Sequence, residues 1–217
     1  MNLVIFDFCE TLVNFQTADS FSRFVLKKES KNFVLKIDFL LDKIKFYRFC
    51  SKLNLDSWSQ KNFLLSSLNG LSKEKLKSYA ELFLESKILP NLNEKVFEKF
   101  LNHLNANDFV IINSGGYQPY LELFVEKYGV KKLFSTEFKY IDNIFTGKIK
   151  GIDCLGQEKV RKMIEEGLNF NNYDEIIVYS DSITDMPIFN LATTRVAIIN
   201  KNTIPSWCKE KFEIIKV

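Results

Sequence analysis

Three short runs of β-branched and aromatic residues constrain this chain more than any other feature. They cover residues 3–6, 109–113 and 175–179, and each ends at a small or acidic residue. Near-continuous apolar runs of this length are the pattern of parallel strands covered on both faces, because neither side of such a strand meets water. Helical patterns follow the second and third runs. Residues 92–104 add a helix face, with Leu92, Val96, Phe97, Phe100, Leu101 and Leu104 at helical spacing. Alternation of strand and helix predicts an α/β fold with a doubly wound, mainly parallel sheet. In such sheets the reactive residues gather just past the carboxyl ends of the strands.

Residues 15–87 differ. They contain no Pro and a single Gly, Gly70, and keep helical periodicity almost throughout, as in Phe33, Ile37, Leu40, Leu41 and Ile44. Ser72, in Leu71-Ser72-Lys73-Glu74, predicts a helix N-cap. The expected organisation is an all-helical cap of about four helices over residues 15–87, inserted into an α/β core of residues 1–14 and 88–217. The insertion holds 14 Lys/Arg against 8 Asp/Glu, more than the whole formal charge of +3. That charge forms either a solvated basic face or, in part, a surface toward an anionic substrate.

A net charge of +3 without an Arg-rich run argues against a nucleic-acid partner. The opening MNLVIFDF has no basic leader and is broken by Asp7, so no signal peptide is expected. No apolar run approaches the roughly 18–20 residues of a membrane span. The expectation is a cytoplasmic monomer or homodimer without a membrane partner. Four scattered cysteines and one histidine make a Cys/His zinc site a poor fit, and reduced thiols the simpler account. His103, within an apolar-patterned helix, reads as a surface or hydrogen-bonded histidine.

Asp7 follows the first run directly. A carboxylate there is costly to desolvate unless a cation or a reaction needs it; the alternative is a helix or turn cap. Asn113-Ser114-Gly115-Gly116 follows the second run, where a hydroxyl and two glycines let backbone N–H groups converge on an anion. A tight turn requiring positive φ would use Gly-Gly equally well. After the third run come Ser180-Asp181-Ser182-Ile183-Thr184-Asp185. Asp185 reads alternatively as an N-cap, but Asp181 repeats the placement of Asp7. Two carboxylates brought together repel, and so suggest a hard divalent cation such as Mg2+. Lys159 opens a further helical stretch and by itself reads as a surface lysine.

In this order, the four elements resemble the motifs of the haloacid dehalogenase superfamily: Asp7 with Thr11, then Ser114, then Lys159, then Asp181 with Asp185. Ser114-Gly115-Gly116 and the segment from Phe145-Thr146-Gly147 to Lys159 resemble the phosphoserine-phosphatase branch, which also inserts a helical cap after its first motif. The resemblance implies a Rossmann-like core and a Mg2+-dependent phosphatase in which Asp7 forms an aspartyl-phosphate. It implies that Asp7, Asp181 and the backbone carbonyl of Cys9 hold the metal, and that Asp185 orients the cluster or Lys159. Ser114, Gly115, Gly116 and Lys159 would hold the phosphoryl oxygens. The implied substrate is a small phosphorylated metabolite: an amino-alcohol, amino-acid, sugar or nucleotide-sugar phosphate. Arg23, close to the first motif, would meet a substrate carboxylate or second phosphate, or else be a structural surface arginine.

Two positions depart from the family pattern. Ser180 stands where Gly is usual, a change expected to tighten the loop. Cys9 stands where family phosphatases place a second Asp, which protonates the leaving oxygen and then activates water. Loss of a general acid/base typically costs roughly 10²–10⁴-fold. Three readings follow: a phosphatase whose acid comes from the substrate or from Glu10, an enzyme acting on another bond by dehalogenation or phosphonate cleavage, or a weakly active phosphate-binding protein.

Overall fold

The computed structural model describes residues 1–53, 55, 58–200, 203–208 and 211–217. Six strands form one parallel sheet in the order β3-β2-β1-β6-β7-β8: β3 Lys132–Thr136, β2 Phe109–Tyr117, β1 Leu3–Phe6, β6 Ile176–Ser180, β7 Thr194–Ile199 and β8 Glu213–Lys216. The chain builds one side of β1 and then crosses to the other, so the strand order reverses at the centre, where α/β sheets open a crevice.

The alternation of side chains explains why the strands are apolar throughout. Val4 and Phe6 enter one core with Val110, Ile112 and Tyr179, whereas Leu3 and Ile5 enter a second with Ile111, Val178 and Met163. All four residues of β1 are fully buried, each worth roughly 1.5–3 kcal/mol of transfer free energy. Helices α6 (Glu94–Asn105) and α7 (Gln118–Tyr128) supply Phe100 and Phe124 to the first core, and α8 (Gln157–Glu165) and α9 (Met186–Phe189) supply Met163 and Phe189 to the second. This is the doubly wound α/β architecture expected.

The helical segment holds five α-helices among its described residues rather than about four: α1 Thr17–Lys28, α2 Asn32–Lys43, α3 Phe46–Lys52, α4 Gln60–Ser66 and α5 Lys73–Phe83. The extra break lies at Lys45, whose left-handed φ of 58° separates α2 from α3. Ser72 caps α5 as expected, its Oγ accepting from Lys75 N at 3.2 Å.

A β-hairpin was not anticipated. β4 (Phe138–Ile141) and β5 (Ile144–Ile149) pair antiparallel through Asp142 and Asn143, with φ of 48° and 62°. The hairpin docks on the helical segment: Phe145 N donates to Leu71 O at 2.8 Å and Gly70 N to Phe145 O at 2.9 Å. Gly147, at φ 72°, lets the strand approach Ser66 so closely that a Cβ would lie 3.1 Å from its backbone.

Candidate active site

The sheet register builds the site. Phe6 pairs with Ile112 on one side and Tyr179 on the other, so the residues that follow these strands emerge side by side. Asp7 N donates to Tyr179 O at 2.9 Å, anchoring the turn. Asp7, Cys9, Ser114, Gly115, Lys159, Asp181 and Asp185 line one cavity of about 270 Å³. Thr11 stands behind it, with Oγ1 donating to Asp181 Oδ1 at 3.2 Å and accepting from Asp181 N at 3.1 Å.

Lys159 is not a surface lysine. It is 1% exposed, and its ammonium donates to Asp7 Oδ1 at 2.8 Å and to Asp185 Oδ2 at 2.7 Å. The capping alternatives for both aspartates fall away, since neither side chain makes a cap hydrogen bond. Ser180 does tighten its loop: Oγ donates to Asp185 Oδ2 at 2.6 Å and accepts from Ser182 N at 3.2 Å. His103 is satisfied, with Nδ1 on Asp108 at 2.8 Å and Nε2 on the Tyr179 hydroxyl at 2.9 Å.

Charge in the cavity is unbalanced. Asp7, Asp181 and Asp185 face a single buried ammonium. Burial raises the Asp7 carboxyl, although Lys159 opposes this. Asp181 is pushed up to about 7, first by burial and then by Asp7 and Glu10. Burial would lower Lys159, but Asp7 and Asp185 outweigh it and raise it, so it stays an ammonium. The buried Oδ1 of Asp185 has no hydrogen-bond partner among the described residues. No group of three His, Cys, Asp or Glu side chains among those residues is placed to hold a metal. Two carboxylates with a backbone carbonyl nevertheless suit Mg2+, which keeps several of its waters and prefers oxygen. The surplus negative charge fits a divalent cation at Asp7 and Asp181.

The Cys9 thiol is buried, 2.8 Å from Thr17 Oγ1 and 3.9 Å from Ser114 Oγ. Burial, then Asp7, pushes it up to about 11, so it stays protonated and is a weak acid. Glu10 adopts a left-handed φ of 55°, and its carboxylate is taken by the Gln16 amide. It lines the cavity but is engaged elsewhere.

Gly115 and Gly116 are closely approached by other side chains and do not take positive φ. Strand β2 runs on through both, to Tyr117. A Cβ on Gly115 would lie 2.5 Å from Leu155 Cδ2, and one on Gly116 2.9 Å from the Tyr120 hydroxyl. Gly116 is not among the cavity-lining residues; its N–H donates to Ser114 Oγ at 3.2 Å and so orients that hydroxyl.

Arg23 does not line the cavity. Its Nε donates to Asp38 Oδ2 at 2.9 Å, and Asp38 also accepts from Gln60 Nε2 (2.9 Å) and Tyr47 Oη (3.2 Å). Nearly two turns into α1, its side chain is tied to α2 through Asp38, so it is the structural arginine. The helical segment's basic residue at the cavity is Lys61 of α4, which sequence reasoning missed. Its ammonium donates to Asp153 Oδ2 at 2.5 Å and to Gly115 O at 3.2 Å. Asp19 and Gln16 also line the cavity. Asp19 has no hydrogen-bond partner among the described residues; burial raises its carboxyl, against Arg23 and Lys61.

A family model described as haloacid dehalogenase-like hydrolase matches residues 4–190, a span that holds every one of these site residues. The chain belongs to the haloacid dehalogenase-like hydrolases. It is 25% identical over 215 residues to a histidinol-phosphatase of Neisseria meningitidis, covering 97% of this chain and 96% of the relative. A Bordetella pertussis protein of unknown function shares the fold with a TM-score of 0.80 at 22% identity, over 99% of this chain and 97% of that one. An apo phosphoserine phosphatase structure aligns with a TM-score of 0.61 at 22% identity, over 98% and 91% of the two chains.

Proposed function

We propose that this hydrolase is a Mg2+-dependent phosphatase that cleaves small phosphomonoesters through an aspartyl-phosphate at Asp7. The observation that carries this reading is the buried Asp7–Lys159–Asp185 cluster, with Asp181 and Ser114 on the same cavity. An Asp7 carboxylate oxygen attacks phosphorus, and the bond from phosphorus to the substrate's alcohol oxygen breaks. Water then hydrolyses the acyl phosphate, returning Asp7 and inorganic phosphate. Lys159 and Ser114 hold phosphoryl oxygens, since phosphoryl transfer depends mainly on positioning and charge neutralisation. Bound at Asp7, Asp181 and the Cys9 carbonyl, Mg2+ supplies that neutralisation. Residues 15–87 serve as the cap, with Lys61 reaching the core through Asp153. Four free, buried cysteines suit a reducing cytoplasm.

Two features narrow the substrate. A cavity of about 270 Å³ lies below the ~300–1,000 Å³ of drug-sized sites, so the ester is small. Lys61 is already held by Asp153 and Glu10 by Gln16, whereas the Asp19 carboxyl lines the cavity without a hydrogen bond among the described residues. A carboxylate there suits an ammonium, and the substrate class is a small amino-alcohol phosphate. The Neisseria relative is named for such an ester. Phosphate release across amino-alcohol, sugar and hydroxy-acid phosphates, with Mg2+ and with EDTA, tests this. Highest kcat/KM is expected for the amino esters, with Asp19→Asn raising KM for those alone. Activity that ignores EDTA, or equal preference among the three classes, contradicts it.

The Cys9 thiol favours a second reading, low turnover on alkyl esters, because a group held near 11 protonates a leaving alkoxide poorly.

A further inference from the structure

The segment from α2 to the start of α4 exposes large apolar side chains that the catalytic cavity does not use. Phe33 is 75% exposed, Phe39 69%, Ile44 62%, Phe49 60% and Trp58 60%. Single exposed apolar residues are ordinary, but a contiguous group marks an interaction surface. These residues are grouped by helix geometry. On α2, Phe33, Lys36, Phe39, Leu40, Lys43 and Ile44 are all exposed at spacings that place them on one side. On α3, Arg48, Phe49 and Lys52 are exposed, and Leu53 follows.

Basic and apolar side chains interleave on this surface. Within residues 31–53 six Lys/Arg stand against two acids, Asp38 and Asp42. Asp38 is buried and binds Arg23, Tyr47 and Gln60, so it ties α1, α2, α3 and α4 into one platform and contributes nothing to the outer charge. With five exposed Lys/Arg in residues 31–53 against one exposed acid, Asp42, this surface is both apolar and net basic.

We propose that this face docks on an anionic lipid surface. Aromatic and aliphatic side chains enter the headgroup boundary, while lysine and arginine stems lie along it with their charged ends on lipid phosphates. A second copy of the chain is the poorer occupant, because it would set the exposed Lys36, Lys43, Lys45, Arg48 and Lys52 against groups of the same sign. No helix is long and apolar enough to cross a membrane, and an interfacial surface needs none. The absence of a membrane partner expected above rested on the lack of a span and does not bear on this mode. The proposal is independent of the reaction at Asp7.

Flotation of the full chain with vesicles of phosphatidylcholine alone, or of phosphatidylcholine with phosphatidylglycerol, tests it. Binding to the anionic vesicles, weakened by salt and at least about tenfold weaker on neutral ones, is expected. The double variant Phe33→Ser, Phe49→Ser should lose that binding at unchanged circular dichroism and phosphate release, and so should Lys43→Glu with Arg48→Glu. Equal partition to both vesicle types, no binding, or binding that both variants retain overturns the proposal. So does a concentration-dependent dimer that the same substitutions dissolve, which would make a second copy the occupant.

Discussion

Lys159 Nζ and Asp7 Oδ1, 152 residues apart in sequence, meet at 2.8 Å in a region from which water is almost excluded. The contact joins the first turn of α8 to the end of β1, and Asp185 completes it from the other side. One ammonium thus holds two carboxylates that come from distant parts of the chain.

Removing that ammonium leaves two buried carboxylates unpaired. Lys159→Met should lower stability by about 3–5 kcal/mol, read from urea unfolding without metal, because breaking a buried pair leaves an uncompensated charge. It should also reduce kcat by roughly 10²-fold or more. A variant with wild-type stability would show that Asp7 and Asp185 are neutral in the folded protein.

Metal dependence should be linked to pH with a definite sign. Asp181 has a folded value near 7, above the ordinary ~3.9, so its contribution to stability is full below pH ~4 and is lost as pH rises through about 7. Asp7 shifts in the same direction. Metal-free protein therefore loses stability over this window, and Mg2+ recovers it. Mg2+ should raise Tm more at about pH 8 than at about pH 5.5; an equal rise at both would place the cation elsewhere.

Cys9 should behave as an unreactive thiol and a poor acid. With its pKa near 11, alkylation by iodoacetamide at neutral pH should be slow in native protein and fast after unfolding. Cys9→Asp should raise kcat on alkyl phosphates, by up to about 10²-fold, and much less on aryl phosphates, whose leaving groups need no proton. No gain with alkyl esters, together with loss in Cys9→Ala, would mean that the thiol takes part.

The two glycines of β2 should differ. Gly116→Ala meets the buried Tyr120 hydroxyl and Leu121, and should cost about 1–3 kcal/mol. Gly115→Ala meets only the end of the half-exposed Leu155 side chain, which can move, so it should cost less stability. Because Leu155 lines the cavity, that variant should raise KM instead.

The parts of the site legible in the sequence are those attached to strand ends. Asp7, Ser114 and Asp181 follow apolar runs whose pairing in a parallel sheet brings their ends together, so position alone marks them. Lys159 needed the resemblance, because nothing local distinguishes it from a surface lysine; its burial comes from distant segments, with Asn113 on its carbonyl and Asp7 and Asp185 on its ammonium. Lys61 and Asp19 were not legible, since a helical segment gives every polar residue the same local signature and only tertiary packing turns these two inward. Arg23 was assigned by nearness in sequence, which a helix undoes within two turns. The hairpin did leave a signal: aromatic and β-branched residues on either side of Asp142-Asn143, a two-residue loop suited to left-handed φ. Gly115 and Gly116 were expected to cradle an anion or to take positive φ; neither takes positive φ, and what distinguishes them is the close approach of Leu155 and Tyr120, a contact between distant segments.

The central claim, that Asp7 is the nucleophile of a metal-dependent phosphatase, is tested most directly with Asp7→Asn. The side chain is nearly the same size and still accepts from Lys159, so the fold should persist while the attacking carboxylate is gone. Phosphate release from an amino-alcohol phosphate with Mg2+ should fall to background, and acid-quenched wild-type protein alone should carry phosphate on residue 7. Metal-dependent release persisting in Asp7→Asn would contradict the account.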